Sequence, residues 1–275
     1  MSQALDQTAI QEIRDMTLSN FLEEKLSSAD CPTIALPANV RLQSLEAYQV
    51  GRFRFRGKLQ TANIPDFVRY CKEYAAEGVR SFIDAESMEA VTVFNLGTIL
   101  EPGHADNTAA LKLKKTAPFK ALLNINGQKN RQKDLAEWLE DWSEYLMAFT
   151  ADGEVLDIKK AISGVRKITI ESSSNSDHED SDFGAKRSLM ETVEAKGKEA
   201  MPAAFEFSCV PYEGLTKRRF RLRYSILTGG DAPVLVLRIV QLETAEEAMA
   251  EEFQALLEEN FTGVEVETFI GDFTA

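Results

Sequence analysis

The chain has 275 residues, 44% of them apolar, and carries 31 Lys and Arg against 44 Asp and Glu, a net charge of −13. That apolar content suffices for a buried core. The charge excludes a general attraction to nucleic acid or to an anionic membrane, so any phosphate contact must be local. No apolar run approaches the length of a bilayer span, and the opening MSQALDQTAI lacks the basic-then-apolar form of a secretory signal, so the expected compartment is the cytoplasm. Cys31, Cys71 and Cys209 are far apart and form no CxxC pair. Neither a disulfide framework nor a zinc site is expected, and the thiols read as buried or incidental.

Residues 6–25 predict an amphipathic helix with Ile10, Ile13, Thr17 and Phe21 on one face, followed at 31–37 by a proline-bracketed connector or a short edge strand around Thr33, Ile34 and Leu36. This helix and connector (1–50) precede a single body at 51–260 and a tail at 261–275. Residues 52–61, RFRFRGKLQT, alternate Arg52, Arg54, Arg56 and Lys58 with Phe53 and Phe55, the pattern of a half-buried strand with a basic outer face. Asn63 caps an expected helix to about residue 77, with Pro65 in its first turn and Gly78 as its stop. Two β-rich runs at 79–83 and 90–96 suggest a hairpin, and a third lies at 111–115. Thr116 and Pro118 then open a short helix, and Asn126-Gly127 forms a turn.

Residues 131–149 carry two helical periodicities at once. Leu135, Trp138, Leu139, Trp142, Tyr145, Leu146 and Phe149 form an apolar stripe holding both tryptophans of the chain. Glu137, Glu140, Asp141 and Glu144 form an acidic ridge, whose like charges cost a few tenths of a kcal/mol per pair unless something basic faces them. Beyond it, Val155, Ile158 and Ile162 predict another helix ending at Gly164, then a strand at 165–171 and a polar, acidic loop at 172–184. The last third reads as β-rich. A strand at 205–210 precedes a run at 219–227, where Arg219, Arg221 and Arg223 alternate with Phe220, Leu222 and Tyr224. Gly229-Gly230-Asp231 turns that run into a partner at 234–242, and Thr244 with Glu247 reads as a capping box opening a helix to about 260. The tail alternates weakly, as an edge strand would in this subunit or another. The expected fold is α+β, a mixed or antiparallel sheet with several amphipathic helices packed on it.

Three segments carry a family resemblance: GKLQTANIPDFVRYCKEY, KKTAPFKALLNINGQKNRQKDLAEWLEDW and FEFSCVPYEGLTKRRFRLRYSI. Over about residues 50–260 the chain resembles the YfdQ-like family of phage and prophage proteins. The resemblance implies a phage or prophage gene expressed in the bacterial cytoplasm. It transfers no catalytic or ligand-binding residue. The Ser/Asp-rich stretch at 172–184 is where this chain departs most from it.

The two arginine rows leave three meanings open. Alternation alone produces a solvated sheet face. Opposite-charge complementarity with the acidic ridge, within or between subunits, explains both stripes together. Phosphate binding to single strands requires exposed aromatics, whereas the alternation turns Phe53, Phe55, Phe220 and Tyr224 to the face away from the arginines. His104 and His178 lie far apart without neighbouring ligands, and no nucleophile elbow, Walker loop, dinucleotide fingerprint or HExxH run is present. The acidic cluster at 177–182 lacks the glycine and closing glutamate of an EF-hand loop. No catalytic residue, metal or cofactor is therefore expected. The leading expectation is a non-enzymatic phage protein that self-associates, the acidic ridge of one copy meeting the basic strands of another. One alternative is a nucleic-acid-binding accessory of phage replication or recombination. The other is an inhibitor of a host defence protein whose acidic surface imitates DNA.

Overall fold

The computed structural model describes residues 7–28, 44, 46–168, 201–227 and 233–274. The chain divides into two units, Met1–Arg54 and Phe55–Ala275. In the first, helix α1 spans Gln7–Ser28, where a helix is expected, and Ile10 and Ile13 on its anticipated apolar face are exposed. A short 3-10 helix follows at Glu46–Tyr48. The connector at 31–37, the loop at 172–184 and the turn at 229–231 lie outside the described residues.

The second unit is α+β. A five-stranded mixed sheet has the order β1-β4-β3-β2-β11, with β1 Lys58–Thr61, β2 Arg80–Asp84, β3 Glu89–Val93, β4 Thr108–Lys112 and β11 Glu267–Ile270. Its two outer strands, β1 and β11, pair parallel and the inner pairs antiparallel. A six-stranded antiparallel sheet has the order β5-β10-β9-β8-β6-β7, with β5 Lys129–Asn130, β6 Leu146–Phe149, β7 Val155–Leu156, β8 Ala204–Cys209, β9 Arg218–Leu227 and β10 Val234–Ile239.

Among the described residues, five helices pack on these sheets: α2 Ile64–Glu73, α3 Ala117–Ile125, α4 Gln132–Asp141, α5 Ile158–Arg166 and α6 Leu242–Phe261. Local chemistry sets their starts. The Asn63 side chain accepts from the Asp66 amide at 2.9 Å, Thr116 accepts from Phe119, and Asp157 accepts from Lys159 and Lys160. Tertiary contacts hold the rest. Phe119 stacks on Phe220 of β9 at 5.3 Å, Trp138 on Phe207 of β8 at 5.9 Å, and Phe261 of α6 meets Phe67 of α2 edge-on at 6.2 Å. Each such buried ring or aliphatic side chain contributes about 1.5–3 kcal/mol of transfer free energy. Inside the five-stranded layer, Cys71 Sγ donates to Thr92 Oγ1, which donates to Ser81 Oγ at 3.0 Å, so this buried polar chain is satisfied.

Four expectations are corrected. The basic strand expected at 52–61 is a strand only from Lys58 onward. The helix expected at 131–149 ends at Asp141, passes through a 3-10 turn at Ser143–Tyr145 and becomes β6, because Leu146 and Ala148 alternate as well as they recur helically and β8 supplies a ladder. The strand expected at 165–171 begins inside α5, which runs through Arg166 with Gly164 buried within it. Thr244 and Glu247 form no capping box: α6 starts three residues earlier, its N-cap being Gln241, which has φ 55° and no side-chain cap. The tail, by contrast, does form an edge strand, and in this chain, with β11 pairing along β2.

Candidate functional site

Strand β9 lies between β8 and β10, so its alternation buries Phe220, Leu222 and Tyr224 and leaves Arg219, Arg221 and Arg223 on an exposed face. The neighbouring strands decide the charge of that face. Arg238 of β10 sits directly opposite Arg223, and Glu206 of β8 sits directly opposite Arg221. Glu206 pairs with Arg219 at 3.7 Å. Arg221, Arg223 and Arg238 have no ion pair among the described residues. Like charges directly opposite across a ladder disfavour the pairing, so an anion set against Arg223 and Arg238 would relieve a cost already present in the fold. Arg238 and Glu206 are not among the sequence-derived candidates. Their signal is there, however, as the single charges in VLVLRI and AFEFSC.

The acidic ridge is only partly free. Glu137, Glu140, Asp141 and Glu144 are all exposed, with Glu144 displaced from α4 into the 3-10 turn. Glu140 accepts from Arg166 of α5 at 2.7 Å, and Glu137 lies 3.7 Å from Lys133 one turn back. Such half-exposed pairs contribute on the order of 1 kcal/mol or less. Asp141 and Glu144 have no ion pair among the described residues.

The other predicted basic row does not form. Arg52 and Arg54 belong to the first unit and Arg56 and Lys58 to the second. Chain bends precede β1, and Arg52, Arg54 and Arg56 are each engaged by partners. Lys58 lies in the five-stranded sheet and β9 in the six-stranded one, so no continuous positive face joins them. Without a ladder to hold the alternation, Phe53 is 93% exposed, the reverse of its expected burial. Phe55 is 56% exposed and stacks on Tyr74 at 5.8 Å. Tyr224 is buried as expected, and its hydroxyl has no partner among the described residues.

Arg218 starts β9 but has a different task. Its Nη2 donates to Glu252 Oε2 at 2.8 Å and to the Ala248 carbonyl at 2.7 Å, tying β9 to α6. Burial alone would raise the Glu252 carboxyl, but hydrogen bonds from the Thr216 amide and hydroxyl and from Arg218 outweigh it and hold the group below its ordinary value. Burial pushes the Cys71 and Cys209 thiols up to about 11, against small opposing effects of Thr92 and Lys217, which keeps both protonated near neutrality. Among the described residues no group of three or more His, Cys, Asp or Glu is arranged to hold a metal ion, and no helix is long and apolar enough to cross a membrane. The chemistry this arrangement offers is recognition of anionic groups by an open guanidinium surface.

Neither a curated protein nor a solved structure matches the chain. A family model described as "Uncharacterized conserved protein (DUF2303)" matches residues 5–273, and the chain belongs to that family.

Proposed function

We propose that this protein is a non-enzymatic, self-associating component encoded by a phage or prophage and working in the bacterial cytoplasm. In this reading the acidic ridge of one copy seats on the arginine face of another. The phage context rests on the YfdQ-like sequence segments. One observation carries the assembly: Arg221, Arg223 and Arg238 share an exposed sheet face and make no ion pair among the described residues, Arg223 and Arg238 directly opposed and Glu206, the acid on that face, paired with Arg219. Asp141 and Glu144 are carboxylates in the matching condition. The outward positions of β8, β9 and β10 near the arginines carry no aromatic ring, so this face lacks a platform for stacked bases.

Light scattering and native mass spectrometry across a salt series test the reading. Association weakens as salt rises, since exposed charges are screened beyond about 8 Å at physiological ionic strength. Arg221→Glu with Arg223→Glu, and separately Asp141→Arg with Glu144→Arg, each give monomers. Mixing the two variants restores a heterodimer, because one retains the ridge and the other the face. A monomeric wild type at low and moderate salt sinks the proposal.

A nucleic-acid-binding accessory is the second reading, favoured by Phe53, 93% exposed between Arg52 and Arg54. A mobility-shift titration with short single and double strands decides it. Absence of a shift at low salt removes it, and Phe53→Ala must weaken any shift that is seen.

A further inference from the structure

The connection between β3 and β4, residues 94–107, is braced along its length by hydrogen bonds. The Phe94 amide donates to the Asn107 carbonyl at 2.9 Å, Gly103 to Leu96 at 2.8 Å, and Ala105 to Asn95 at 3.1 Å. The Asn95 side chain donates to Asp106 and accepts from the Asn107 amide, both at 2.9 Å. At the tip the Thr98 amide donates to the Glu101 carbonyl at 2.9 Å, and the Glu101 amide returns a bond to Thr98 Oγ1 at 3.0 Å. The two arms lie close enough to require glycine. A Cβ on Gly97 would lie 2.3 Å from the Glu101 carbonyl oxygen, and one on Gly103 would lie 2.0 Å from that of Asn95. This ordered finger ends in Ile99 and Leu100, which are 99% and 92% exposed. A braced loop holding two adjacent aliphatic side chains wholly in water is a feature that burial in a partner explains and the fold of this chain does not.

A cleft of mixed polarity lies elsewhere in the same unit. Open and about 320 Å³ in volume, it sits between α3, α4 and β5 and is lined by Ala121, Ile125, Trp138 and Trp142 together with Asn124, Gln128 and Asn130. Lys129 also lines it, exposed and without an ion pair among the described residues. Glu101 stands beside the finger's aliphatic pair. The aliphatic pair can therefore lie on the Trp138 and Trp142 rings, Glu101 can meet Lys129, and the volume has room for two branched side chains.

We infer that Ile99 and Leu100 of one copy seat in the Trp138–Trp142 cleft of a second copy, with Glu101 against Lys129. This rests on the self-association reading and adds a second contact to it. The contact joins two different patches, so it is either reciprocated across a two-fold axis or repeated head-to-tail into a ring or open chain.

Ile99→Asp with Leu100→Asp tests it without disturbing the fold, because both side chains lie outside the core; circular dichroism of the variant matches the wild type. The expected result is a self-association constant weakened at least roughly tenfold, the effect of losing one hot-spot contact. Trp138 and Trp142 are the two tryptophans of the chain, so their emission reads the cleft directly. It shifts to the blue as wild-type protein is concentrated and stays constant for the double variant. Glu101→Lys weakens association, and adding Lys129→Glu restores it. An unchanged constant for the double variant overturns the inference while leaving the arginine-face contact standing, as does tryptophan emission that stays flat through the association range. A wild type that remains monomeric at every salt concentration overturns both.

Discussion

Partly exposed Glu252 and buried Tyr224 are two polar side chains in opposite conditions. Glu252 accepts from the Thr216 amide, the Thr216 hydroxyl and Arg218, whereas the Tyr224 hydroxyl has no partner among the described residues. Because the Glu252 carboxyl is held below its ordinary 4.5, the unfolded chain binds more protons than the folded one as pH falls through that region. Its contribution is therefore complete above the ordinary carboxylate range and is lost as pH drops toward the depressed folded value. Glu252→Gln is expected to cost about 1.5–3 kcal/mol at neutral pH. The variant should also flatten the loss of urea stability below pH 4.5, the ordinary value of this carboxyl. Tyr224→Phe should instead be neutral or raise stability by up to about 1 kcal/mol, since it deletes an unmet hydroxyl. The edge-on contact of that ring with Phe205 at 5.9 Å is retained. The caps at Asn63 and Thr116 were legible because a cap is local chemistry written within four residues. The bond from Thr216 and Arg218 to Glu252 was not, because 34 residues separate Arg218 from its carboxylate.

Elements show where periodicity stops deciding. From Leu146 to Phe149 the apolar residues suit a helix and a strand alike, and β8 settles the matter by pairing Leu146 with Phe207 and Ala148 with Phe205. The arginine face on β9 was legible because the strict alternation from Arg219 to Tyr224 fixes which side chains share a side. Whether RFRFRG would find a ladder was not legible, and before Lys58 it has none. The finger between β3 and β4 was not legible in the sequence because its order comes from backbone bonds between arms and not from an apolar repeat. Gly97→Ala should loosen it, since φ 72° and the close Glu101 carbonyl both oppose a side chain. Faster proteolysis within residues 94–107, with a loss of about 1–3 kcal/mol in urea denaturation, is the expected readout.

At the scale of the whole molecule, the five-stranded sheet is closed by residues distant along the chain. Arg80 donates to Glu267 across 187 positions, and β11 lies parallel to β2 at the outer edge. Phe82 stacks on Phe269 at 5.6 Å and on Phe273 at 4.2 Å. That the tail would be an edge strand could be read from its alternation. Its partner could not, because nothing local encodes a parallel neighbour so far away. Removing residues 264–274 should lower the urea midpoint and increase binding of a hydrophobic dye, as β2 and Phe82 become open to solvent.

The parallel seat of β11 also imposes an order on synthesis. A ribosome must add residue 270 before β2 can acquire its outer neighbour. Until then the nascent polypeptide presents an incomplete rim that invites strands from other chains. Prematurely terminated products are therefore natural prey for chaperones and proteases, and only the finished molecule escapes that scrutiny.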